Sequence, residues 1–157
     1  MEDGADREAP LDLAAVRAAA ERIAGRVLRT PVLRWRRGDL TLLGKAESLQ
    51  PTGAFKLRGA FSCMTTLAPD VPGVVAHSSG NHAQAVARAA RELGLRAVIV
   101  MPRDAPAAKL RRTEADGAEV VRVGPDSDER ARVAEALARE RGLVPVPPFD
   151  DPRVAAG

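Results

Sequence analysis

Two short segments carry residue types from which chemistry can be built. The first is Gln50-Pro51-Thr52-Gly53-Ala54-Phe55-Lys56-Leu57-Arg58-Gly59-Ala60. Leu57, Ala60, Phe61, Met64 and Ala68 follow at helical spacing, so Lys56 falls in the first turn of a helix. The field at a helix N-terminus disfavours a cation and suits a neutral, nucleophilic amine of the kind that condenses with an aldehyde. Composition narrows the candidates to three: of 24 basic residues only Lys45, Lys56 and Lys109 are lysine, and arginine cannot form a Schiff base. The same position also suits a snorkelling lysine on a surface helix, and the residues alone leave both readings open.

The second segment is Val75-Ala76-His77-Ser78-Ser79-Gly80-Asn81-His82-Ala83-Gln84, an apolar run leading into a helix whose stripe is Ala83, Val86, Ala87, Ala90 and Leu93. Gly80 and the serines let a ligand approach the backbone, and free N–H groups at a helix start favour a carboxylate or phosphate. The plain alternative is capping by Ser78 or Ser79 with His82 on the surface.

Both segments need elements to hold them. Leu13, Val16, Ala20, Ile23 and Val27 recur at helical spacing behind Asp12, which predicts a helix over 12–26 that Thr30-Pro31 ends. Short apolar runs then predict strands near 40–46, 73–77, 96–101, 118–123 and 143–146. Helices are expected near 55–68, 80–93, 105–116 and 126–141. Pro106 and Gly117 bracket the third of these, and Asp126, Glu129 and Gly142 bracket the last. Ala97-Val98-Ile99-Val100-Met101 is apolar on both faces, as a central parallel strand must be. The expected fold class is therefore α/β, a parallel twisted sheet with helices on both faces, and sites in such sheets lie beyond the C-terminal ends of the strands. Both segments fit that location.

The 157 residues suit one ordinary domain or part of a larger protein. No apolar run approaches the roughly 18 residues of a membrane span, and the acidic start Met1-Glu2-Asp3-Gly4-Ala5-Asp6 lacks the pattern of a secretory signal. A single cysteine, Cys63, permits no internal disulfide and points to a cytoplasmic setting, with Cys63 packed in the interior. The net charge of +3 comes from bases dispersed among acids, and aromatic residues make up 3%. That excludes the basic stripe and stacking platform of a nucleic-acid binder. The densest basic group, Arg34-Trp35-Arg36-Arg37, reads as a solvated loop.

Taken together and in order, the two segments resemble the serine/threonine dehydratase and serine racemase family of pyridoxal phosphate enzymes, fold type II. Thr52–Ala60 is similar to its cofactor-lysine motif, and Ser78–Gln84 to its substrate-carboxylate loop. The likeness continues through Met101-Pro102, Ala105-Pro106 with Lys109, Gly117–Val121 and Pro148–Pro152, covering the chain from about residue 12. The resemblance implies pyridoxal 5′-phosphate as cofactor and elimination of water from L-serine or L-threonine to ammonia and a 2-oxo acid. It implies Lys56 as the cofactor lysine and Cα base, and Asn81 as the partner of the cofactor's ring oxygen. Ser78, Ser79, Gly80, Asn81 and His82 are implied as holders of the substrate carboxylate. Ser79 is also the second acid/base where family members racemise serine, which leaves racemisation, another fold type II reaction or a non-catalytic fragment as alternatives. A small amino-acid substrate and a homo-oligomeric full-length form complete the expectation.

Departures from the family pattern set further expectations. Ala54 stands where many members have serine, and the link from Pro31 to Leu40 is short. The resemblance divides the chain into 1–68, an arm and lysine helix belonging to a larger domain, 69–146, a small open α/β domain, and 147–157, a return segment. The glycine-rich loop for the cofactor phosphate would lie outside these residues. On that basis the isolated chain is expected to be catalytically weak, and to self-associate through the helices near 12–26 and 55–68.

Overall fold

The computed structural model describes residues 11–157, so the acidic segment 1–6 lies outside the described residues. In chain order the elements are α1 (Leu13–Arg22), β1 (Val32–Arg37), β2 (Leu40–Lys45), a 3-10 turn (Glu47–Leu49), α2 (Lys56–Met64), β3 (Val74–His77), α3 (Asn81–Leu93) and β4 (Ala97–Pro102). They continue with α4 (Ala107–Ala115), β5 (Glu119–Val123), α5 (Ser127–Arg141), β6 (Val144–Pro145) and α6 (Pro152–Ala156).

A four-stranded parallel sheet ordered β5-β4-β3-β6 forms the centre. All six residues of β4 are buried, and the alternation of side chains sorts them between two cores. Ala97, Ile99 and Met101 pack with Val74, Ala76, α2 and α3 on one face. Val98 and Val100 pack with Val75, Ala134 and Leu137 of α5 on the other. This is the doubly covered parallel sheet expected from the apolar run at 97–101. Local signals place its helices: the Asp126 carboxylate accepts from the N–H groups of Asp128 and Glu129, and Gly142 closes α5 at φ +64°.

The N-terminal arm corrects three expectations. Asp12 does cap α1, its carboxylate accepting from the Ala15 N–H at 2.7 Å, but regular helix ends at Arg22 and the chain turns through Gly25. The segment Arg34–Arg37 is not a loop. It lies in β1, paired antiparallel with β2 from Val32↔Lys45 to Arg37↔Leu40. The strand near 40–46 therefore belongs to a separate hairpin and not to the parallel sheet, because a two-residue turn after Arg37 brings the chain straight back. The link from Pro31 to Leu40 is β1 with its turn.

The helix α2 is covered from within the chain. Leu57, Ala60, Phe61, Cys63 and Met64 are buried within the chain against α3 and the sheet, and α6 lies across Gly59. A methyl group at Gly59 would meet the Val154 backbone oxygen and side chain at 2.8 Å, so the contact requires glycine. Cys63 is interior as expected, and burial pushes its thiol up to about 11. Among the described residues no helix is long and apolar enough to cross a membrane.

Candidate active site

Lys56 is the first residue of α2, presented by a turn in which the Gly53 N–H donates to the Gln50 carbonyl at 2.7 Å. Gly53 takes φ +73°, the left-handed conformation that glycine adopts without strain. The half-buried Lys56 Nζ donates to the Pro148 carbonyl at 2.5 Å and lies 5.1 Å from the centre of the Phe55 ring. Around it opens a cleft of about 240 Å³ whose walls include Phe55, Pro148, Phe149 and Asp150. Asp150 turns the chain back at φ +61°, after which Asp151 caps α6.

The second segment runs from the end of β3 into α3. The Ser78 N–H continues the β ladder by donating to Val100 O at 3.0 Å, and Ser78 Oγ accepts from the Gly80 N–H at 3.1 Å. The Gly80 amide is thus taken by Ser78, whose own hydroxyl proton remains to be donated. Gly80 is the N-cap of α3 and neither serine caps it, which leaves the first-turn N–H groups facing the loop. Ser79 and Asn81 are exposed there. His82 is not on the surface. It is buried, and Nε2 donates to the Val146 carbonyl at 2.9 Å, which makes Nδ1 the lone-pair nitrogen, buried without a partner. Burial holds this imidazole down at about 4, and the charge on Lys56 further opposes a second cation there.

One stretch therefore ties the two segments together. Val146 O receives His82 and Pro148 O receives Lys56, so the chain leaving β6 sets the spacing between the amine and the α3 N-terminus. Lys56, Ser78, Ser79, Gly80, Asn81 and His82 lie at this end of the sheet, beyond the C-terminal end of β3.

A further network went unread in the sequence. Arg58, two residues after Lys56, pairs with both oxygens of Glu47 at 2.8 Å and donates to Leu28 O at 2.8 Å. Glu47 also accepts from Thr30 Oγ1 at 2.5 Å and from Gln50 Nε2 at 3.2 Å. The Arg58 guanidinium in particular holds the Glu47 carboxyl down at about 2. The network pins the arm to the helix that carries Lys56. Its available signal was a second cation, Arg58, in the first turn of a helix, where a carboxylate partner is needed. Among the described residues no group of three or more His, Cys, Asp and Glu side chains could hold a metal ion.

Comparison with known proteins gives the family of the chain. The model of the family described as "Pyridoxal-phosphate dependent enzyme" matches residues 23–157. The chain is 46% identical over 145 residues to the L-threo-3-hydroxyaspartate ammonia-lyase of Pseudomonas sp, covering 88% of this chain and 46% of that protein. It is 40% identical to the serine racemase of Schizosaccharomyces pombe, covering 90% and 46% respectively. The crystal structure of a T.th. threonine deaminase superposes with a TM-score of 0.85 at 48% identity, over 93% of this chain and 48% of that one. The chain spans about half the length of the curated relatives it matches. With its doubly covered parallel sheet and a lysine at the start of α2, the chain belongs to the pyridoxal-phosphate dependent enzyme family.

Proposed function

We propose that the protein eliminates water from a small hydroxy amino acid, L-serine or L-threonine, giving ammonia and a 2-oxo acid. The observation that carries this reading is the joint anchoring of Lys56 and His82 by Val146–Pro148, which sets an amine beside a helix N-terminus suited to a carboxylate. The residues fit pyridoxal phosphate: a primary amine opens on a cleft with aromatic walls, and the Asn81 carboxamide stands exposed at the loop. Bound there, the cofactor supplies an electron sink for the pair released when the substrate Cα–H bond breaks.

In this reading Lys56 holds the cofactor through its amine and accepts the Cα proton. Asn81 donates to the cofactor's ring oxygen. The Ser78 hydroxyl, Ser79, the Asn81 amide and the His82 amide bind the substrate carboxylate, while Gly80 keeps the backbone close enough for them to reach it. His82, neutral through burial, adds no charge to the loop. The names of the relatives extend the candidate substrates to L-threo-3-hydroxyaspartate. Serine racemisation is a second reading, supported by the exposure of Ser79 at the loop and by the racemase relative. A cytoplasmic location, a homo-oligomeric full-length form and the division at 68/69 and 146/147 belong to the same proposal.

The test is an assay of the full-length form, with pyridoxal phosphate and each of the three L-amino acids. Ammonia and 2-oxo acid should form in equal amounts. Lys56→Ala should abolish both, and borohydride reduction should place the covalent cofactor label on Lys56. D-serine without 2-oxo acid would favour racemisation, and label mainly on Lys45 or Lys109 would sink the assignment of Lys56.

A further inference from the structure

Lys109 has no role in the reading above, yet the fold sets it against one of that reading's central residues. β3 and β4 are adjacent parallel strands, so the helices that follow them, α3 and α4, begin side by side. Across that junction the half-buried Lys109 Nζ donates to Asn81 Oδ1. The backbone beneath Lys109 is fixed at both ends. Its N–H donates to Pro106 O at 2.8 Å, and its carbonyl accepts from the hydroxyl of the fully buried Thr113 at 2.9 Å.

The two partners differ in what they can exchange. An ammonium has three N–H donors and no acceptor, while a carboxamide has an acceptor oxygen at one end and two donors at the other. Contact with Lys109 therefore settles which end of Asn81 is which: Oδ1 turns to Lys109, and Nδ2 is left to face the loop. We propose that Lys109 is a positioning residue that orients the Asn81 carboxamide so that its Nδ2–H groups are presented to an anionic oxygen in the site. This rests on the reading of Asn81 as a ligand contact, and the oxygen it serves is that of the cofactor ring or of the substrate carboxylate. Without Lys109 the carboxamide can rotate and turn its lone pairs toward that oxygen, exchanging a donated hydrogen bond for repulsion.

The chain has one asparagine and two glutamines, Gln50 and Gln84, so a ¹⁵N-labelled sample shows only three side-chain carboxamide pairs by NMR. In Lys109→Met the Asn81 pair should move, in Lys109→Arg it should stay near its original position, and Gln50, held by Leu28, should not respond in either. An Asn81 pair unmoved in Lys109→Met overturns the proposal. Pyridoxal 5′-phosphate is then added, followed by L-serine. The Asn81 pair should respond to the cofactor alone if it serves the ring oxygen, and only after serine if it serves the carboxylate. Lys109→Met should weaken the responsible step by roughly 10-fold or more and Lys109→Arg should restore it. Equal binding by Lys109→Met and the parent chain overturns the proposal. A parent chain labelled on Lys56 whose Asn81 pair ignores both ligands overturns this inference alone, whereas absence of the Lys56 label removes the reading beneath it and the inference together.

Discussion

β4 and β1 are both strands of six residues, and they meet opposite fates. All six residues of β4 are buried, whereas β1 is exposed along its whole length. In the hairpin Trp35, Leu40 and Leu43 are 55%, 56% and 65% exposed. The difference is one of charge, three arginines in β1 against none in β4, and of neighbours. β4 has a parallel strand on each side and helices on both faces, while the hairpin pairs only with itself. A strand's apolar residues stabilise the fold only as far as other elements take them out of water.

Removing buried volume should expose this contrast most strongly. Ile99, completely buried in β4, should lose about 2–5 kcal/mol of stability on change to Ala, read from the midpoint of urea unfolding. A loss under about 1 kcal/mol would mean that the sheet core is loosely packed.

The polar tie between the regions should come next. Glu47→Ala leaves the half-buried Arg58 without its carboxylate, and a cost of about 1–3 kcal/mol is expected. The same substitution should increase proteolytic cutting between residues 28 and 50 while sparing the sheet. Cutting unchanged from the parent would show that the arm is held by other contacts.

Acid should act on the two regions in separate windows. His82 has its folded value lowered to about 4 from 6.5, so below pH 6.5 the unfolded chain takes up a proton that the folded one refuses. Stability should therefore fall as pH drops from 6.5 toward 4, and His82→Gln should reduce that slope, leaving the smaller share of His77, which burial also lowers. Glu47 has its folded value lowered to about 2 from 4.5. Its contribution is fully present above pH 4.5 and is lost as pH falls toward 2, which Glu47→Gln should remove. A profile flat between pH 6.5 and 4.5 would contradict the buried neutral state of His82.

The smallest effect is expected in the hairpin, where Leu42, 51% exposed, should change stability by no more than about 0.5 kcal/mol on substitution by Ala. A loss comparable with that of Ile99→Ala would show the hairpin face to be covered in solution, and the comparison would have to be redrawn.

Much of the sheet half was legible because its signals are local. The apolar run at 97–101, the stripe after Asn81, Asp126 as a cap and Gly142 as a stop each act within a few residues of themselves. Strands and helices from β3 onward therefore fall close to the ranges expected from periodicity. The hairpin is poorly legible because the dense cations of Arg34-Trp35-Arg36-Arg37 suit a solvated loop, and its pairing is decided by the strand that returns beside it. The five-residue α6 was missed because so short a helix presents no period, and it forms where Asp151 caps it and Gly59 gives it room.

For the candidate site the division runs along the same line. The sequence by itself determined the chemical types and their order: a lysine opening one helix, serines and a glycine opening another, and a parallel sheet to carry both. Those follow from residue identity and from periods of two and 3.6, which each segment carries alone. Only the tertiary structure decided that Lys56 reaches Pro148, 92 residues away, that His82 turns inward to Val146, and that Lys109 meets Asn81 across two helix starts. Each of these contacts joins segments whose local patterns are complete without it, so it takes shape only when the sheet brings their ends together.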